Sequence, residues 1–134
     1  MTYKEIISCF NELRPNNISD DYKAKIIREL DIKVNNEVFY DKRDISSLDE
    51  AYENTKGLIE EPYDDLYILY LICKLDFYLG DYERYSNDTI VFNTEYLEYF
   101  ESFLSEGKEN FASFYAENEG VFLDCLDEVI SLTY

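Results

Sequence analysis

The stretch PYDDLYILYLICKLDFYLG, residues 62–80, decides the fold of this chain. Pro62 suits the first position of a helix and Gly80 suits the position just after its end, so the sequence predicts one helix over about 62–79. Between these two residues almost every side chain is apolar or aromatic, which leaves the helix without a polar face. Such a helix is either buried in a bundle or spans a membrane.

The length and the charges of this segment argue against a membrane. About 17 residues, at a rise of about 1.5 Å each, reach roughly 25 Å, which is less than the roughly 30 Å of a bilayer core. Lys74 and Asp76 would also lie inside the span, where each charge costs roughly 2.5–3.5 kcal/mol. We therefore predict no membrane span and an all-α fold, a bundle of four to five helices around a central hydrophobic helix at about 62–79.

Amphipathic segments on both sides supply the helices that surround it. Residues 3–13 and 19–38 carry apolar side chains at helical spacing. A very short connection after Gly80 leads into a long amphipathic helix, about 81–105, which we expect to lie antiparallel to the central helix. Residues 109–132 form a last amphipathic segment.

Helix starts can also be read from capping residues. Thr2 with Glu5, and Ser47 with Glu50, each form a capping-box pattern, and the second pair predicts a short helix that ends at Gly57. The whole chain, 1–134, has the length of one helical domain, and we treat 106–134 as its C-terminal helical extension.

Composition excludes several kinds of function. The net charge is −18, from 30 acidic and 12 basic residues, and such a chain repels nucleic-acid phosphates. Histidine is absent and no phosphate-binding glycine loop occurs, so we expect neither an enzyme nor a cofactor. The cysteines Cys9, Cys73 and Cys125 have no Cys-x-x-Cys spacing, which argues against a metal site. We expect all three to be buried and reduced in the cytoplasm.

Two groups of residues are candidates for protein contacts. The second helix carries a cationic flank that is either a solvated, salt-bridged face or the mate of an acidic surface on a neighbouring molecule. Its members are Lys23, Lys25, Arg28 and Lys33. The 14 tyrosines exceed what a core of this size is expected to hide, so we expect some of them to face partners.

Two blocks of sequence resemble the head–tail connector (adaptor) proteins of tailed phages, which are encoded among the head-morphogenesis genes of Gram-positive hosts. The first block covers about residues 3–35 and contains a short helix, an Arg-Pro-Asn turn and an Arg-Glu-Leu-Asp helix. The second block is more specific, and it matches the family pattern in length and order. It consists of Pro62-Tyr-Asp-Asp-Leu-Tyr, Asp76-Phe-Tyr, Gly80-Asp-Tyr-Glu-Arg-Tyr-Ser-Asn-Asp and Phe92-Asn.

This resemblance implies a structural virion protein that is made in the host cytoplasm and located in the neck of the particle. The subunits would form a homo-oligomeric ring of about twelve copies with head-to-tail interfaces, below the portal protein. The ring would extend the DNA channel and join the head to a stopper or tail-completion protein. DNA would pass through without specific binding, because an acidic wall does not hold phosphates.

The resemblance also suggests two sets of contact residues. Those assigned to the subunit interface are Lys23, Lys25, Arg28, Lys33, Arg84 and Tyr85. Connector C-termini typically dock on the portal, but residues 106–134 have no counterpart in the family pattern. Within them, the residues assigned to portal or partner docking are Phe122, Leu126, Val129, Ile130 and Tyr134. Composition alone favours a different function, a small acidic inhibitor such as a toxin immunity protein or a DNA mimic, which binds a basic target.

Overall fold

The fold is all-α in a computed structural model that describes residues 1–40 and 44–106. Its helices are α1 (Tyr3–Leu13), α2 (Asp20–Glu37), α3 (Leu66–Tyr78) and α4 (Tyr82–Glu106), with a 3-10 turn at Tyr52–Asn54. The described residues contain no strand, and one isolated bridge pairs Thr2 with Lys56. No helix within these two ranges is long and apolar enough to cross a membrane.

The first two helices begin where their capping residues predict. The Thr2 hydroxyl accepts from the Glu5 amide at 3.2 Å, and the Glu5 carboxylate accepts from the Thr2 amide at 3.0 Å. The Ser19 hydroxyl likewise accepts from the Tyr22 amide at 3.2 Å. These bonds satisfy amides that would otherwise lack partners in the first turn.

The start of α3 corrects the sequence prediction. The helix begins at Leu66, four residues later than predicted, because Pro62 belongs to a turn that precedes it. In that turn the Tyr63 amide donates to the Glu60 carbonyl at 3.0 Å, and the Leu66 amide donates to the Tyr63 carbonyl at 3.1 Å. Pro62 therefore marks the turn before the helix and not its first position.

The connection between α3 and α4 forms as predicted. Gly80 has a φ of 76°, a left-handed conformation that suits glycine at a helix end. Its amide donates to the Phe77 carbonyl at 3.1 Å, and the Asp81 amide donates to the Asp76 carbonyl at 2.9 Å, which is the Schellman pattern. The Asp81 carboxylate then accepts from the Arg84 amide at 3.2 Å and caps α4.

The core lies around α3, which packs chiefly against α4 and also against α1 and α2. Leu66, Tyr67 and Leu71 are among its buried residues. The prediction that this helix is buried on all sides is nevertheless wrong for the last turn of α3, since Phe77 and Tyr78 are 54% and 70% exposed. There the α1–α2 connection borders an open groove and does not cover the helix end.

Two further expectations are corrected. The short helix predicted from Ser47 is absent, and residues 52–54 form the 3-10 turn in its place. That turn is fixed because the Tyr52 ring is buried and its hydroxyl donates to the Asp21 carboxylate at 2.8 Å. Cys73 is buried as expected but Cys9 is exposed, and Cys125 lies outside the described residues.

Candidate interaction surface

Most of the cationic side chains assigned to the subunit interface have partners within the same molecule. Lys23 is only 2% exposed, and its ammonium group donates to Asn11 at 2.5 Å. Lys33 forms an ion pair with Glu37 at 2.7 Å. The Arg28 guanidinium lies over the Tyr3 ring, 5.3 Å from its centroid. These three cations therefore stabilise the bundle itself.

Two of the assigned residues remain available at the surface. Lys25 is exposed and forms no ion pair with the part of the chain that the structure describes. Arg84 is exposed and lies 3.8 Å from the Asp81 carboxylate. Tyr85 packs against Phe77, with ring centroids 5.2 Å apart. The residues assigned to docking, namely Phe122, Leu126, Val129, Ile130 and Tyr134, all lie outside the described residues.

A buried carboxylate, Asp31, organises the interior. It is 1% exposed and accepts hydrogen bonds from the Tyr3 hydroxyl at 2.5 Å, the Leu58 amide at 3.1 Å and the Tyr67 hydroxyl. The Tyr67 hydroxyl in turn accepts from the Ile59 amide at 2.8 Å. Burial raises the pKa of Asp31, whereas its three hydrogen bonds act in the opposite direction. The network joins α1, α2 and α3 to the long connection between α2 and α3.

A second buried carboxylate ties α3 to the end of α1. Asp76 is 1% exposed and binds the Arg14 guanidinium at 2.7 Å. Because Arg14 is its hydrogen-bonding partner, the pKa of Asp76 is lowered. Tyr67 and Asp76 both belong to the block that resembles the connector pattern, so at least part of that block is explained by packing.

Pairs of carboxyl groups join α3 to α4 at both ends of the hairpin. Near the turn, burial together with the interaction with Asp76 raises the pKa of Asp88 to about 6. At the far end, burial together with the interaction with Asp65 raises the pKa of Glu95 to about 7. In each pair the negative charge of the neighbouring carboxylate favours the protonated form of the partner whose pKa is raised.

Within residues 1–40 and 44–106, the most prominent exposed apolar surface lies at the turn between α3 and α4. We define the hairpin tip as Phe77, Tyr78, Leu79 and Tyr82, which are 54%, 70%, 61% and 65% exposed. A groove of about 340 Å³ lies beside it, lined by Arg14, Pro15, Asn16, Asn17, Ile18, Leu75, Tyr78 and Leu79. Sequence reasoning missed this surface because it treated residues 62–79 as uniformly buried.

No group of acidic or cysteine side chains suited to hold a metal ion occurs in the described ranges 1–40 and 44–106. In comparisons with known proteins, no protein family, curated protein or solved structure matches the chain.

Proposed function

We propose that this protein is a head–tail connector (adaptor) subunit of a tailed phage. About twelve copies would form a ring below the portal, extend the DNA channel and join the head to the stopper or tail. The observation that carries the proposal is the block from Pro62 to Asn93, which resembles the connector pattern in both its residues and their spacing.

Two physical features support this proposal. The block forms a continuous helical hairpin, since it spans the turn before α3, α3 itself, the Gly80 connection and the first half of α4. The charge of −18 also suits a channel wall. Basic side chains hold DNA by releasing the counterions of its phosphates, and an acidic surface does not do so.

The proposal is tested on particles of the phage that carries the gene. Mass spectrometry of purified virions should detect the chain in an amount comparable to that of the portal protein, and electron microscopy should place it in the neck. Virions that contain no trace of the chain would refute the proposal.

A second experiment addresses the subunit interface. Lys25 is an assigned cation that is exposed and forms no ion pair with the described residues, so Lys25→Glu should reduce ring formation with the portal while leaving subunit helicity unchanged. Lys56→Glu is the matched control, because Lys56 is also exposed but was not assigned to the interface. If both variants assemble like the wild type, the helix α2 interface is wrong, although the connector assignment itself would stand.

A second candidate function is a small acidic inhibitor of a basic protein. It is favoured by the charge of −18 together with exposed aromatic residues such as Tyr22, Tyr78 and Tyr82. It predicts a tight, salt-sensitive 1:1 complex with a basic enzyme. The neighbouring genes separate the two functions, because a portal gene upstream supports the connector and a toxin gene supports the inhibitor.

A further inference from the structure

The hairpin tip exposes four neighbouring apolar or aromatic side chains. Its three aromatic side chains each carry roughly 150–250 Å² and are more than half exposed, so with Leu79 the tip presents roughly 400–500 Å² of mostly apolar surface. Patches of a few hundred Å² on a soluble protein commonly mark interaction sites.

The tip is held in a defined conformation. Gly80 and Asp81 form the Schellman bonds and the α4 cap, which fix the course of the backbone. The Phe77 ring contacts the Tyr82 ring, with centroids 5.9 Å apart, and the Tyr85 ring at 5.2 Å. A partner would therefore meet a largely preformed surface, which lowers the entropic cost of binding.

The groove beside the hairpin tip adds a concave region to the exposed surface. Leu75, Pro15 and Ile18 supply apolar walls, whereas Asn16 and Asn17 supply polar groups. Its volume of about 340 Å³ lies at the small end of the range for ligand pockets, which suits one or two large side chains of a partner.

The surrounding charges determine the kind of partner. Arg14 at the groove is paired with the buried carboxylate of Asp76, and Arg84 lies 3.8 Å from the Asp81 carboxylate. Asp88 also acts on both arginines, so carboxylates still outnumber cations around the tip. Glu83 is exposed in the first turn of α4, beside the tip. A basic partner gains from this field, whereas a second copy of a chain with a net charge of −18 is repelled by it.

We propose that the hairpin tip and its groove form a docking surface for a basic partner protein. The partner segment places one or two large apolar side chains in the groove and over the tip, and its lysines or arginines face the acidic rim. This proposal goes beyond the connector assignment and does not depend on it.

The test uses the full chain, labelled with nitrogen-15, and three synthetic amphipathic peptides of equal length. The first combines leucine with lysine, the second replaces lysine by glutamate, and the third replaces leucine by serine. Only the leucine–lysine peptide should bind, with amide shift changes confined to residues 14–18 and 75–83 and with weaker binding at higher salt.

Matched variants assign the binding to the tip. Leu79→Ser should weaken binding at least tenfold, and Ile90→Ser should leave it unchanged, although Leu79 and Ile90 are 61% and 62% exposed. Circular dichroism checks that both remain folded, and Tyr78→Ser replaces Leu79→Ser if that variant unfolds.

Several outcomes would overturn the proposal. They are absence of binding, equal binding of the glutamate peptide, shift changes elsewhere, and equal loss in the Leu79 and Ile90 variants. Wild-type self-association that Leu79→Ser abolishes would identify a second copy as the occupant. Cross-links from the tip to residues 107–134 would identify the chain's own segment instead.

Discussion

Replacing Tyr67 by phenylalanine tests whether the Asp31 network holds the bundle together. The substitution keeps the buried ring but removes a hydroxyl that donates to Asp31 and accepts from the Ile59 amide. Tyr3 and Leu58 would still donate to the carboxylate, while the Ile59 amide would lose its partner inside the protein.

The expected cost follows from these two losses. Leaving a buried amide without a partner costs about 1–3 kcal/mol, and a hydrogen bond to a charged group contributes about 1.5–3 kcal/mol. Because neighbouring groups relax, we expect Tyr67→Phe to lower the free energy of unfolding by about 3 kcal/mol, a large fraction of the roughly 5–15 kcal/mol of a typical domain. The loss should be larger at pH 8 than at pH 5, since Asp31 with fewer donors is harder to keep ionised.

Urea unfolding followed by far-UV circular dichroism measures this change. Tyr78→Phe is the matched control because Tyr78 is 70% exposed, and it should change stability by less than about 0.5 kcal/mol. Tyr3→Phe alone and combined with Tyr67→Phe completes a double-mutant cycle, and their shared partner Asp31 predicts a coupling of about 0.5–3 kcal/mol. A cost for Tyr67→Phe no larger than that of the control would refute the role of the network.

Three further changes test other parts of the structure. Glu95 has its pKa raised to about 7, so the stability it contributes is fully present below its unfolded pKa of about 4.5 and is lost as the pH rises through 7. After discounting for solvent screening, the wild type should lose about 1 kcal/mol more than Glu95→Gln between pH 5.5 and pH 8, and parallel urea-midpoint curves would contradict the Asp65–Glu95 pair. Gly57→Ala places a methyl group against the hydroxyl end of Tyr67 and should cost about 1–3 kcal/mol in urea unfolding, whereas an unchanged midpoint would show that the ring can move. Arg14→Leu leaves a buried carboxylate of α3 without its cation and should lower the thermal midpoint by several degrees, with the loss shrinking at acidic pH as that carboxylate is protonated.

Local chemistry in the sequence was sufficient to predict much of the fold. Thr2 and Ser19 start the first two helices, and Gly80 ends α3, because capping depends on residues within one turn of the chain. The all-α fold class was predicted from the same kind of information, since the helical spacing of apolar residues in each segment is a local feature of the sequence. The start of α3 could not be predicted in this way, because proline suits both the first position of a helix and a turn.

The candidate surface depended on contacts between distant segments. Lys33 pairs with Glu37 one turn further along the same helix, which is a local contact. Lys23 and Arg28, in contrast, meet Asn11 and the Tyr3 ring of α1 only when the two helices pack together. The exposure of the hairpin tip was hidden for the same reason, because burial of a side chain is decided by the elements that cover it.

The sequence by itself thus determined an all-α fold, the helical hairpin of α3 and α4, and the resemblance to connector proteins, all of which rest on residues close together in the chain. Only the tertiary structure decided that Asp31 is the centre of the interior, that Lys25 remains available at the surface, and that the end of α3 is exposed. The partners of Asp31 and the exposure of the hairpin tip are properties of the packed molecule, since they depend on residues far apart in the chain.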